Sequence, residues 1–227
     1  MLNPMRAEAD WDQLVGCLPA QLQAEFRADS LRQLITSCYT RPDRHYHTLS
    51  HLAHCLSEFT VLLALPAVAE HLTVPRELAV ALLFHDAVYA PLAEDSEEQS
   101  ASLCSDAVPL FFPGLALPLV TRLIRLTSLH GRLPGRLTLS QQDRLFLDID
   151  ISVLGAPAEL YAAYREGVRR EYEPLLGAVR YDLGRRAFLA RLLENPQIYL
   201  SAHYLATREA EARANLRGEL EALGGAA

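Results

Sequence analysis

Four of the eight histidines fall between positions 45 and 54, and His85 stands beside Asp86 at the end of the apolar run Leu78–Phe84. His47, His51, His54 and Glu58 recur at three- and four-residue spacing, which on a helix places them along one face. A helix apolar nearly all round belongs to a core. A titratable pair at the end of such a helix is costly unless something compensates it. A bound metal ion would compensate it; the plainer alternative is a core histidine hydrogen-bonded to a carboxylate. Two further polar points lie among apolar residues. His130 ends a helical pattern, and Asp148 and Asp150 interrupt Leu145–Ile151.

Imidazole and carboxylate together suit Zn, Mn, Fe, Ni or Co, whereas Mg prefers more oxygen. Cys17, Cys38, Cys55 and Cys104 are far apart with no C-x-x-C spacing. They read as buried free thiols, not as a structural zinc site or a disulfide framework. No lysine occurs, so all 21 basic residues are arginine. Schiff-base and Walker-type phosphate chemistry are thereby excluded. A net charge of −7 argues against binding a nucleic-acid polymer through its phosphates. There is no G-x-S-x-G nucleophile elbow. No signal-peptide pattern and no long uncharged apolar run is present, so a cytoplasmic location with no membrane partner is expected.

The elements that must carry these residues read as about nine helices in one all-α domain over 1–227. One helix is expected from Pro19 to about Cys38, and a second from near Tyr46 to about Leu65, with Leu49, Leu52, Leu56, Phe59 and Leu63 as its core stripe. Pro75 suits the first turn of the helix that leads to His85. Ser96-Glu97-Glu98-Gln99 has the form of a capping box opening a helix to about Val108. Leu115–Leu129 reads as a helix and Gly131–Thr138 as a long loop. Ser140 is expected to cap a helix from Gln142 to about Val153. Helices follow to about Tyr172, over Asp182–Leu193, and over Tyr199–Leu223. The charged last helix could pair with a second copy of the chain.

His47 … His85-Asp86 … Asp150 resembles the H…HD…D signature of the HD superfamily of metal-dependent phosphohydrolases. Arg44–Leu52, Phe84–Tyr89, Glu97–Ala101, Asp148–Asp150 with Leu154-Gly155, and Arg169–Tyr172 resemble a bacterial subgroup of that superfamily. The resemblance covers roughly residues 30–200. It implies an all-helical bundle with a metal held between helices, and hydrolysis of a phosphoester on a small, nucleotide-like molecule. It implies a metal ligand set of His47, His85, Asp86 and one of Asp148 and Asp150. Those two point nearly opposite ways on a helix, and Asp150 is favoured by its preceding residues.

By the same resemblance, His51 could contact a second metal or phosphate, or act as general acid. His130 could contact phosphate or transfer a proton, or be an exposed helix-end histidine; Arg44 could clamp phosphate, or be a solvated turn arginine; and Asp86 could accept a proton. One divalent ion (Mn, Fe, Ni, Co, Zn or Mg) is the minimal case, with room for a second if Asp86 bridges. Glu97 and Glu98 read as first-turn charge that suits the helix dipole, though they follow the His-Asp pair closely enough to reach the site, while Arg169 and Arg170 read as ion-pair partners. A non-hydrolytic metal- or nucleotide-binding regulatory module of the same fold is the competing expectation.

Overall fold

The computed structural model describes residues 11–130 and 138–224. All regular structure among them is helical. No helix among the described residues is long and apolar enough to cross a membrane. The chain divides into two compact units, Met1–Ser128 and Leu129–Ala227.

The first unit is built on α1 (Asp29–Tyr39), α2 (Leu49–Leu63), α3 (Pro75–Phe84), α4 (Ser96–Phe111) and α5 (Leu117–Leu126). Helix α3 is its axis. Pro75 sits in its first turn, as expected, where the missing N–H costs nothing. Seven successive residues, Leu78 to Phe84, are buried, because α2, α4 and α5 all pack on this helix. Each large apolar side chain buried there contributes about 1.5–3 kcal/mol. Phe26 and Phe112 close one side of the core with ring centroids 5.0 Å apart.

Several boundaries differ from the sequence expectation. The helix expected from Pro19 to Cys38 is broken. A turn at Ala20–Gln23 and a 3-10 turn at Ala24–Arg27 come first, then extended Ala28, and only then α1. Helix α2 begins at Leu49, not near Tyr46, because the Thr48 side chain accepts the Ser50 N–H and caps it. His47 therefore precedes the helix, and the expected face of His47, His51, His54 and Glu58 does not exist as one face. Leu62, not Leu63, completes the buried stripe. The capping box expected at Ser96 is absent. Asp95 holds the cap position without a side-chain bond, and Ser96 Oγ instead accepts the Ala90 N–H. Helix α4 also runs on to Phe111. The helix expected over Leu115–Leu129 is α5 followed by a 3-10 turn at Thr127–Leu129. The loop expected at Gly131–Thr138 lies, apart from its last residue, outside the described residues.

The second unit contains α6 (Gln141–Asp150), a 3-10 turn at Ser152–Gly155, α7 (Ala158–Leu176), α8 (Ala178–Glu194), α9 (Ala202–Thr207) and α10 (Glu209–Gly224). The expected cap at Ser140 is present in full. Ser140 accepts the Asp143 N–H, and Asp143 accepts the Ser140 N–H. Helix α6 ends at Asp150, earlier than expected, and α7 and α8 extend past their expected ends. The expected terminal helix is two helices that meet at Arg208. Inside this unit Arg185 forms a buried two-pronged ion pair with Glu219, at 2.8 and 3.0 Å. Tyr161 also donates to Glu219, and Tyr164 accepts from Arg185.

Candidate metal centre

Helix α3 ends at Phe84, so His85 occupies the cap position and Asp86 the turn beyond it. His85 is 1 % exposed. Its Nδ1 lies 2.7 Å from the Leu82 carbonyl. A carbonyl can only accept, so Nδ1 carries the hydrogen, and in the neutral ring Nε2 presents its lone pair. That Nε2 lies 3.1 Å from Asp86 Oδ2 and 3.1 Å from His51 Nε2. His51 Nε2 is itself 3.6 Å from the same carboxylate oxygen, and His47 Nε2 is 4.0 Å from it.

One carboxylate oxygen thus faces three imidazole nitrogens. Ligand atoms of His51, His85 and Asp86 all lie within 4.8 Å of one another, so this group could hold a metal ion. The donor chemistry fits. A lone pair on His85 Nε2 pointing at a carboxylate is repulsive, and either an added proton or a cation removes the repulsion. The Leu82 bond meanwhile fixes the tautomer that leaves Nε2 for a cation, as a ligating histidine requires.

The His47 ring packs on Tyr89, centroids 4.0 Å apart, and Tyr46 packs on both His47 and His51. His51 is buried, while His47 is partly exposed. The histidine grouped most tightly with the His-Asp pair is therefore His51, one turn beyond the position that the sequence pattern matches. His54 lies elsewhere, on a cleft lined with Gln13, Cys17, Ser50 and Ser57.

Arg44 is 5 % exposed. Its guanidinium donates to the carbonyls of His47, Asp86 and Ala87 at 3.0, 2.7 and 2.9 Å. It also lies over the rings of Tyr39 and Tyr89. The Tyr39 hydroxyl donates to the Leu83 carbonyl and accepts the Asp86 N–H. Sequence reasoning passed over Tyr39. Its only signal was a tyrosine closing a helix before the Thr40–Arg44 turn, with nothing to show what lay across from it.

Glu98 pairs with Arg125, which holds its carboxyl below the usual range. Glu97 shares the first turn of α4. Arg169 pairs with Glu173 and Asp182 and lies over Tyr181, and Arg170 is exposed.

In the second unit the two candidate aspartates differ sharply. Asp148 is fully buried. Its carboxylate accepts the N–H groups of Leu200 and Ser201, at 2.8 and 2.7 Å. Burial raises its pKa to about 6, against the pull of those N–H bonds. Asp150 instead meets His130, with Oδ2 and Nε2 2.7 Å apart.

No family model, curated protein or solved structure matches this chain.

Proposed function

We propose that the protein is a metal-dependent phosphohydrolase of the HD type, acting on a small phosphoester, nucleotide-like in character. The observation that carries this reading is the convergence of His51, His85 and His47 on one oxygen of Asp86 at the end of a buried helix. Three nitrogens and an oxygen suit Zn, Mn, Fe, Ni or Co better than Mg. His85 Nε2, Asp86 and His51 would hold the ion, with His47 as the further histidine that the sequence pattern assigns. The pattern's last ligand is Asp150 on this reading, since the Asp148 carboxylate is occupied by backbone N–H groups.

A bound divalent ion would supply a water of lowered pKa and a Lewis acid for the phosphoryl oxygen. The chain's own residues do the rest. His85, its proton held on Nδ1 by Leu82, keeps Nε2 directed at the site. His130 carries the proton-transfer role expected from the sequence, with Asp150 orienting its ring.

A second reading, a metal-holding module without turnover, is favoured by one observation. Arg44, the arginine nearest in sequence to the first ligand, directs its guanidinium at three backbone carbonyls and not at a substrate.

Metal analysis of protein purified without chelator tests both readings. Less than about a tenth of an equivalent of any divalent transition metal overturns them together. Incubation with Mn and a panel of nucleotides and phosphomonoesters then separates them. Phosphate release that is lost in Asp86→Asn supports hydrolysis. Ligand-induced melting shifts without release support the binding module.

A further inference from the structure

Arg44 and Tyr39 act on the same three-residue turn from one side. A helix end leaves its last carbonyls, and the turn beyond it, without intrahelical partners. At the end of α3 these groups are taken by side chains. Tyr39 bridges the Leu83 carbonyl and the Asp86 N–H. Arg44 takes the carbonyls of Asp86 and Ala87. The same guanidinium reaches the carbonyl of His47. One planar fork therefore joins the loop that carries His47 to the turn that carries His85 and Asp86.

Two features argue against a role in bulk stability alone. The guanidinium charge is buried against carbonyls and aromatic faces, and its Nε–H is buried with no hydrogen-bond partner among the described residues. A buried unpaired donor is a cost, and an apolar side chain in the same space would avoid it. The geometry obtained for that cost is the spacing between His47 Nε2 and Asp86 Oδ2, 4.0 Å.

We infer that Arg44 and Tyr39 are positioning residues for the metal centre, which fix the His85-Asp86 turn against the His47 loop. This rests on the metal-site reading above and replaces the phosphate clamp expected of Arg44. Lysine cannot stand in for Arg44, because a compact ammonium cannot span three carbonyls held by a planar fork.

The test is a Co(II) titration of metal-free protein, followed by its visible d–d absorption, for wild type, Arg44→Lys and Tyr39→Phe. Helical circular dichroism and cooperative melting report the fold alongside. The expected result is a folded Arg44→Lys that binds Co(II) about 10- to 100-fold more weakly, with a shifted d–d spectrum. Tyr39→Phe keeps the ring, loses only the hydroxyl, and shows the same changes in smaller measure. It carries the test alone if Arg44→Lys does not fold. Variants that melt lower but bind Co(II) with wild-type affinity and spectrum overturn the inference and leave the metal reading standing. Wild type that binds no Co(II) overturns both. Loss of affinity for inorganic phosphate in Arg44→Lys, with Co(II) binding unchanged, restores the clamp and overturns positioning.

Discussion

The carboxylate of Asp148 accepts the backbone N–H of Leu200 at 2.8 Å, although the two residues are 52 positions apart. With the Ser201 N–H on the same group, Asp148 anchors the segment that leads into α9. Asp150, two residues on, has its carboxylate on His130 instead. Asp148→Asn turns an amide NH₂ toward donors and is expected to cost about 1–3 kcal/mol, the price of a buried polar group left unsatisfied. Its metal content should stay at the wild-type level. Asp150→Asn should behave in the opposite way, with urea denaturation near wild type and metal content reduced. Metal analysis and denaturation of both variants check the pair, and equal metal content in wild type and Asp150→Asn removes Asp150 from the ligand set.

On the metal-site reading, chelation should loosen the end of α3. His85 Nε2 and Asp86 Oδ2 lie 3.1 Å apart, and a cation held there would offset the repulsion between the two lone pairs. Dialysis against a chelator is expected to lower Tm, and readdition of Mn or Zn to restore it, because a ligand that binds only the folded chain stabilises by mass action. His85→Ala should abolish the response. A Tm unchanged by chelator across wild type and variant would show that no ion contributes to folding.

Cys104 is buried on α4, and burial pushes its thiol up to about 12. The thiolate is the reactive form, so at pH 8 Cys104 should resist a disulfide reagent while the chain is folded and react once urea unfolds it. The stability linkage has a definite sign. The folded pKa lies above the unfolded value of 9.0, so the contribution is complete below about pH 9 and is lost as pH rises toward 12. Urea midpoints measured from pH 8 to 11 should fall less in Cys104→Ala than in wild type.

Arg185 and Glu219 have side chains only 5 % and 2 % exposed. Removing one partner strands the other charge. Arg185→Ala is expected to cost about 3–5 kcal/mol, whereas Arg185→Met with Glu219→Leu should cost much less. Chemical denaturation of the single and double variants measures the difference. A single variant near wild type would mean that water reaches Glu219.

Elements whose signals are local could be read from the chain alone. Pro75 in a first turn, the Ser140–Asp143 capping box, the all-helical class and the apolar run that marks Leu78–Phe84 as core each show in residues a few positions apart. The tertiary structure decided what the polar side chains do. Arg44 donates to carbonyls 42 and 43 residues away, and Asp148 accepts N–H groups 52 and 53 residues away. His51 outranks His47 as the neighbour of His85 because Thr48 caps α2, whose first residue, Leu49, comes two positions after His47. Sequence spacing places a side chain on a face of its own helix. Its partner is set by which distant segment packs there, and that follows from burial summed over a whole unit and not from any short motif.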